Sequence, residues 1–196
     1  MKCLDTTEAI TPELVAKLTE NGYEGVIKYC ANTPTFPSKR FSHEEVALLH
    51  GAGIKCGFVY EGLSTFAGYF LQARGKSDAN AVLEYFKLLG VPTSCPSFYA
   101  VDYDASAADM AGPILQYAKA FHDTLKAGGH LCGVYGSGFV CATLKGMGLV
   151  HYTWLSQSEG FNGTPGFTDW DIKQGLGSPL GLDADPDEAK TSDCFW

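Results

Sequence analysis

Pro96-Ser97-Phe98-Tyr99-Ala100-Val101-Asp102-Tyr103-Asp104 is the most informative segment of the chain. Phe98 to Val101 form an uninterrupted apolar run, which is typical of a strand covered on both faces. Pro96 stands at its start, where a missing N–H does least harm. Asp102 and Asp104 follow, two residues apart. Because alternate strand residues point to the same side, we expect both carboxylates on one face, with Cα atoms roughly 6.6 Å apart.

Two carboxylates at the end of a buried strand have two interpretations. The first is hydrolytic chemistry, because a hydrolase keeps one carboxyl group protonated and another ionised. The second is structural, since an aspartate after a strand also caps the next helix or forms an Asx-turn. Asp104 precedes a run of small and polar residues and fits either role. Asp102 directly follows the apolar run and still lies within the predicted strand, and this position favours a role in a site.

The composition indicates an ordinary globular protein. The 196 residues suit one domain (residues 1–196), with 45% hydrophobic and 18% charged residues. The net charge of −8 argues against a nucleic-acid partner, because phosphate binding needs a basic face. No apolar run reaches 18 residues, so we expect no transmembrane helix. From the first residues we expect no signal peptide, and the route of export stays open.

The sequence gives no indication of a metal or cofactor site. The seven cysteines are scattered without a C-x-x-C pair, which predicts free, mostly buried thiols, with one or two disulfides as the alternative. The five histidines show no zinc-ligand spacing. We therefore expect no metal and no other cofactor.

Strand-like and helix-like segments alternate along most of the chain. Strands are predicted at residues 1–5, 24–30, 54–60, 96–104, 130–135 and 151–155, with strand-like pieces at 168–174 and 181–185. The intervening helices begin near Thr11, Ser42, Thr65, Asp109 and Gly138, and the third is expected to break near Gly75. This alternation predicts an α/β fold with a parallel sheet.

The length favours a barrel over an open sheet. Eight strands in 196 residues leave about 24 residues per unit, whereas a full TIM-type barrel takes roughly 250 residues. A barrel without its last helices fits these numbers. A doubly wound sheet is the alternative, but the Gly-x-Gly-x-x-Gly expected after its first strand is absent.

The carboxyl ends of barrel strands meet at one rim, where an active site is expected. The residues predicted there are Asp5, Lys28, Tyr60, Glu61, Asp102, Asp104, Tyr135, Trp154, Gln157, Gln174, Asp183 and Asp185. Carboxylates, amides and aromatic rings together suit a sugar substrate, because rings stack on its faces while polar groups bind its hydroxyls.

Several of these residues have alternative interpretations. The run from Asp183 to Asp187 could bind calcium, but the glycine and glutamate of an EF-hand are missing. Tyr135 and Trp154 could belong to the core. Lys28 could form a Schiff base, although an ion pair with a rim carboxylate is the milder interpretation. Residues 133–138 lack the lysine of a phosphate loop, so a tight βα turn explains them better.

A set of short motifs resembles a known family over essentially the whole chain. The motifs are Asp5-Thr6-Thr7, Phe98 to Asp104, Gly133-Val134-Tyr135-Gly136, Trp154-Leu155-Ser156-Gln157-Ser158, Ile172-Lys173-Gln174 and Asp183-Ala184-Asp185. In this order they resemble bacterial glycoside hydrolase-like domains of unknown function, relatives of the family 25 lysozymes. The resemblance implies an incomplete TIM-type barrel, (β/α)5(β)3, with a muramidase-type site.

The resemblance also implies positions for the catalytic groups. Asp5, Asp102 and the Asp183/Asp185 pair match aspartates of the family 25 lysozymes. Asp104 departs from the pattern, since the lysozymes carry their general acid, a glutamate, at this position. Because aspartate is one methylene shorter, either the sugar sits closer or Glu61 has taken the acid role.

The leading hypothesis is a peptidoglycan hydrolase that cleaves the β-1,4 bond after N-acetylmuramic acid. The expected catalytic residues are Asp5, Glu61, Asp102 and Asp104, and the expected substrate-binding residues are Lys28, Tyr60, Tyr103, Tyr135, Trp154, Gln157, Gln174, Asp183 and Asp185. The alternatives are a non-catalytic glycan-binding barrel and a hydrolase of another polysaccharide. We expect a monomer acting at the cell envelope or outside the cell.

Overall fold

The protein folds into one closed barrel of eight strands arranged in chain order. The computed structural model describes residues 1–31 and 39–196. The strands are β1 (Lys2–Thr6), β2 (Gly25–Tyr29), β3 (Lys55–Tyr60), β4 (Pro96–Ala100), β5 (Leu131–Gly136), β6 (Tyr152–Leu155), β7 (Ile172–Gln174) and β8 (Ala184–Ala189). The α-helices are α1 (Pro12–Glu20), α2 (His43–Gly51), α3 (Gln72–Leu89), α4 (Ala107–Asp109), α5 (Leu115–Ala127) and α6 (Gly138–Gly146).

The helices follow the first five strands, which confirms the (β/α)5(β)3 architecture. The single turn of α4 continues through a π-helical segment, Met110–Ile114, into α5. These three segments therefore form one continuous helix between β4 and β5. Between β6 and β8 the described residues form no α-helix, only a 3₁₀ turn at Pro179–Gly181. No helix in the described part of the chain is long and apolar enough to cross a membrane.

Local sequence signals start the first two helices as predicted. The hydroxyl of Thr11 accepts the Leu14 N–H at 3.2 Å, and Pro12 occupies the first turn of α1. In α2 the side chains of Ser42 and Glu45 form a reciprocal capping box. These caps satisfy N–H groups that the helices leave unpaired, and they fix where each helix leaves the barrel wall.

The last strand runs opposite to the direction predicted. β1 to β7 pair in parallel, but β8 is antiparallel to both β7 and β1. The sequence suggested a strand ending at Asp185, whereas β8 begins at Ala184 and pairs Asp185 with Asp5. Asp185 therefore reaches the predicted rim because its strand starts there, and the barrel is not wholly parallel.

The central strand ends earlier than predicted. β4 stops at Ala100, although the apolar run suggested a strand through Asp104. Val101 adds one more contact, its N–H donating to the Tyr135 carbonyl at 2.8 Å. Asp102 and Asp104 thus lie in the loop that follows, so the two-residue alternation of a strand does not hold them on one face.

The third helix is not broken at Gly75. α3 runs without interruption from Gln72 to Leu89, and the chain bends before it, near a 3₁₀ turn at Ala67–Tyr69. A Cβ at Gly75 would lie 2.4 Å from the Tyr117 carbonyl oxygen. This glycine therefore permits close packing of α3 against α5, and that contact explains why it stands inside a helix.

Two apolar layers stabilise the barrel. One lies between the strands and the helices, and the other fills the interior of the barrel. Phe195, near the C-terminus, closes the lower end of the interior, where Gly25 and Gly57 leave space for its ring. The barrel therefore opens at the rim. All seven cysteines are free and buried in these layers, which confirms the prediction of buried thiols.

Candidate functional site

A cavity of about 290 Å³ opens at the rim, where β1 to β7 end and β8 begins. The side chains and backbone that line it are those of Asp5, Tyr29, Val59, Glu61, Ala100, Asp102, Tyr135, Trp154, Gln157, Ser158, Gln174 and Asp185. This volume lies near the lower end of the range of small-molecule sites, and ligand sites of such barrels lie at this end. Eight of the residues predicted for the rim therefore converge here.

Strand parity decides which rim residues enter the barrel. Ile27 and Val59 belong to the interior apolar layer, so Tyr29 and Glu61, two residues further on, lie on the same side. Lys28 directly precedes Tyr29, and Tyr60 directly precedes Glu61. Both therefore point to the opposite side, outward into the helix layer. The prediction that Lys28 and Tyr60 bind substrate is therefore wrong in placement, and Tyr29 is the residue that it missed.

Lys28 forms an ion pair, but its partner lies on a helix and not on the rim. Its ammonium lies 3.0 Å from Glu45 Oε1 and donates to the Glu8 carbonyl at 2.8 Å, with the lysine side chain fully buried. Burial lowers the pKa of Lys28, while the hydrogen bond and charge of Glu45 oppose that change. The ion pair fastens α2 to the outer wall of the barrel, which explains a buried lysine without chemistry.

Tyr60 and Tyr103, which were both predicted to bind substrate, lie outside the cavity. Tyr60 hydrogen-bonds Asp78 of α3 and packs on the outer apolar layer. Tyr103 packs against the same layer, its ring 6.1 Å from that of Phe70. Both therefore stabilise the contact between barrel and helices.

Asp104 also points away from the cavity. Its Oδ1 accepts the Asn162 N–H at 2.7 Å, which ties the loop after β4 to the long segment after β6. It does not cap the following helix either, because Ser106 and Asp109 form that capping box. Asp102 and Asp104 therefore do not act as a pair on one face, and the geometry does not support a catalytic role for Asp104.

Glu61 and Asp102 are held together by one residue of the loop after β3. The hydroxyl of Ser64 donates to Glu61 Oε1 at 3.3 Å, and the Asp102 N–H donates to the Ser64 carbonyl at 3.0 Å. Burial and the negative charge of Asp102 raise the pKa of Glu61, against a lowering by Lys39. Burial also raises the pKa of Asp102. The two carboxyls thus form an interacting pair at the cavity wall.

A second group of polar residues crosses the cavity floor. Gln174 donates its amide hydrogens to Asp5 Oδ2 at 2.9 Å and to Asp185 Oδ2 at 3.2 Å. Its carbonyl oxygen lies 2.8 Å from the hydroxyl of Tyr135, and that hydroxyl lies 3.0 Å from Ser156 Oγ. These contacts fix the two carboxylates from β1 and β8 relative to each other.

The carboxyls on this floor have raised pKa values. Burial raises the pKa of Asp5 to about 7, helped by the charges of Asp185 and Glu61 and opposed by the Gln174 hydrogen bond. Burial also raises the pKa of Asp185, although a hydrogen bond from Gln157 lowers it. Four carboxyl groups with raised pKa values therefore share one small cavity, an arrangement that is typical of acid–base sites.

Trp154 is both core and site. It is almost fully buried in the barrel interior, 5.0 Å from the Tyr135 ring, and yet it forms part of the cavity floor. Its indole N–H donates to Asp187 Oδ1 at 2.8 Å. The sequence prediction missed Asp187 and Ser158. The two-residue spacing from Asp183, just before β8, to Asp185 and Asp187 on that strand is the signal that could have found Asp187.

Asp183 belongs to a neighbouring depression of about 250 Å³. This depression shares Asp5, Tyr29 and Asp185 with the main cavity, so the two are continuous across the β1–β8 edge. Asp183 Oδ2 accepts a hydrogen bond from Thr7 at 3.2 Å. Within the ranges described, no three His, Cys, Asp or Glu side chains are grouped so that they could hold a metal ion.

Comparison with known proteins identifies relatives along nearly the full chain. The family model described as "Rv2525c-like, glycoside hydrolase-like domain" matches residues 16–192. The protein YbfG of Bacillus subtilis (strain 168) is 29% identical over 203 residues, which cover 92% of this chain and 28% of YbfG. The chain therefore spans just over a quarter of this relative's length.

Solved structures show the same fold at low identity. The Tat-secreted protein Rv2525c of Mycobacterium tuberculosis, in complex with HEPES, superposes with a TM-score of 0.80 at 21% identity, covering 96% of this chain and 94% of that chain. The modular autolysin LytC of Streptococcus pneumoniae gives 0.63 at 16% identity, covering 95% of this chain and 46% of that chain. LytC has also been solved in complex with a synthetic peptidoglycan ligand.

Proposed function

Since the chain belongs to the family of Rv2525c-like, glycoside hydrolase-like domains, we propose that it is a muramidase-type peptidoglycan hydrolase. It would cleave the β-1,4 bond after N-acetylmuramic acid. The observation that carries the proposal is the pair of Glu61 and Asp102, two interacting carboxyls on the wall of a cavity at the barrel rim. A glycosidase needs two such groups beside the scissile bond.

Glu61 is the proposed general acid. Its raised pKa, caused first by burial and then by the charge of Asp102, keeps a proton available closer to neutral pH. The hydroxyls of Ser64 and Tyr29 both hydrogen-bond this carboxyl, and they would hold it in place for proton transfer to the leaving-group oxygen. Asp104 cannot take this role in the observed arrangement, because it points outward to Asn162.

Asp102 is the proposed partner carboxylate. It lies on the same wall as Glu61, and its pKa is raised by burial alone, without the additional charge effect that acts on Glu61. As an anion it would stabilise the oxocarbenium-like transition state, either directly or through the sugar's acetamido group. Asp5 and Asp185 would add negative charge from the cavity floor, held in place by Gln174.

The remaining cavity residues would bind the sugar. Tyr29 and Tyr135 present aromatic surface, and aromatic rings stack on the apolar faces of pyranoses, while the buried Trp154 supports the floor beneath them. Gln157 offers an amide group to the hydroxyls, whereas the amide hydrogens of Gln174 are donated to Asp5 and Asp185 and hold the floor in place. Asp183, in the adjoining depression, would contact a neighbouring sugar of the chain. We further propose that the protein acts as a monomer at the cell envelope or outside the cell.

Purified peptidoglycan tests the proposal directly. We expect new reducing ends, and mass spectrometry should identify fragments ending in N-acetylmuramic acid. Fragments ending in N-acetylglucosamine, or cleavage only of another polysaccharide, would contradict the linkage proposed. Because the carboxyl mechanism uses no metal, the reaction should proceed in EDTA. Loss of activity in EDTA with recovery on adding calcium or zinc would overturn that mechanism.

One observation favours a second candidate, a barrel that binds glycan without cleaving it. The position of the lysozyme acid holds Asp104, whose carboxylate serves a loop contact outside the cavity. If Glu61 does not supply the proton, the aromatic and amide surface would still bind sugars. Retention of peptidoglycan by the protein without any release of reducing ends would select this function.

A further inference from the structure

Asp187 is a buried carboxyl for which the proposed reaction gives no role. It lies on β8 below the cavity, and the residue is 6% exposed. Its Oδ1 accepts the Trp154 indole N–H at 2.8 Å, whereas no N–H or hydroxyl group of the described residues donates to its Oδ2. An ionised carboxylate left with one oxygen unpaired in a barrel interior would be costly.

The neighbour of Asp187 is another carboxyl group. The side chains of Asp187 and Asp5 lie within hydrogen-bonding reach of each other. Two ionised carboxylates have only acceptor oxygens, so a hydrogen bond between them requires a proton on one of them, and that proton would give Asp187 Oδ2 the partner that it lacks. Which of the two holds the proton is decided by their other partners.

The surroundings of Asp5 decide between the two, and Gln174 is the first part of them. Its amide nitrogen lies between the oxygens of Asp5 and Asp185, and a flipped amide would place its oxygen against both of them. Asp5 Oδ2 is therefore an acceptor from Gln174. A proton on either carboxyl would satisfy both, but Asp5 lines the cavity and accepts from Gln174, whereas Asp187 lies below the cavity and does not line it. Ionisation is therefore less costly at Asp5, which places the proton on Asp187.

We propose that Asp187 stays protonated at neutral pH and donates a hydrogen bond to Asp5, so that it is a positioning residue for the Asp5 carboxylate. The titratable groups that face the pair are Cys3, Tyr29, Glu61, Tyr135 and Asp185, none of which is cationic at neutral pH. Burial, followed by the charge of Asp5, raises the pKa of Asp187 well above its usual range. The hydrogen bond from Asp187 lowers the pKa of Asp5.

Carbon-13 NMR of protein labelled at the aspartate carboxyls tests the protonation state without any assay of activity. At pH 8 we expect one aspartate resonance at the position of a protonated carboxyl. This resonance should be absent in Asp187→Asn and retained in Glu188→Gln, a matched control on the exposed face of the same strand. If every aspartate of the wild type is ionised at pH 8, or the resonance survives in Asp187→Asn, the proposal is wrong.

Two substitutions of Asp187 test whether it acts as a hydrogen-bond donor or only fills space. Of the two experiments, only this one rests on the proposed function. The amide introduced by Asp187→Asn would still accept from Trp154 and donate to Asp5, so this variant should keep the acidic limb of the pH–rate profile in place. Asp187→Leu has a similar shape but no donor, and should move that limb upward by about one pH unit. Equal profiles for both variants would overturn the positioning role. An inactive wild type with the protonated resonance would refute the proposed function alone.

Discussion

Replacing Glu61 by glutamine is the sharpest test of the proposed acid. The amide keeps the size of the side chain, and its oxygen can still accept from Ser64, but it has no acidic proton to transfer. General acid assistance is worth about 10²–10⁴-fold in rate, or roughly 3–5 kcal/mol. We therefore expect kcat on peptidoglycan to fall by about 10²–10⁴-fold in Glu61→Gln.

Asp104→Asn is the matched control. It removes a carboxylate from the loop after β4, but Asp104 lies outside the cavity, and the amide oxygen can still accept the Asn162 N–H. A surface substitution of this kind usually changes stability by about 0.5 kcal/mol or less. We expect kcat within about threefold of the wild type, because no group in the cavity is altered.

An aryl glycoside with a highly activated leaving group completes the assay, provided that the cavity accepts it. Such a substrate needs no proton on departure, so Glu61→Gln should recover most of its lost rate relative to wild type, whereas Asp102→Asn should stay inactive. The reasoning fails if Asp104→Asn loses as much activity as Glu61→Gln. It also fails if the activated substrate rescues Asp104→Asn and not Glu61→Gln.

The remaining predictions concern stability. Folding raises the pKa of Asp5 from 3.8 to about 7. Between these pH values the folded protein binds more protons than the unfolded chain, so the free energy of unfolding should fall by roughly 4 kcal/mol as the pH rises through this interval. A thermal unfolding temperature that rises with pH over the same interval would contradict this. Lys28→Met leaves the largely buried Glu45 without its counter-charge and should cost about 3 kcal/mol in urea unfolding, with the exposed Lys87→Met as an unaffected control. Gly75→Ala places a methyl group against the Tyr117 carbonyl and should cost about 1–3 kcal/mol, whereas Gly112→Ala, with open space around it, should not.

The architecture and most of the cavity could be predicted from local signals along the chain. Alternating strand and helix patterns, with caps such as Thr11 and Ser42, predict an α/β barrel because local hydrogen bonding and hydrophobic periodicity act over a few residues. Parallel strands place their carboxyl ends at one rim. Asp5, Glu61 and Asp102 could therefore be assigned to one site from the order of the residues alone.

The choice of which neighbour along each strand enters the cavity depends on tertiary structure. Parallel barrel strands are buried on both faces, so they carry no apolar and polar alternation that would show which face is inside. Lys28 and Tyr29, or Tyr60 and Glu61, cannot be separated by pattern alone. Closure of the barrel around Ile27 and Val59 makes that choice.

Long-range pairing fixes the rest of the site. The direction of β8 follows from its pairing with β1, across about 180 residues of chain, and this brings Asp185 beside Asp5. Asp104 points outward because β4 ends at Ala100 and the segment after β6 supplies the Asn162 N–H. The contact of Asp187 with Asp5 also exists only in the closed barrel, because no local signal relates residues from the two ends of the chain.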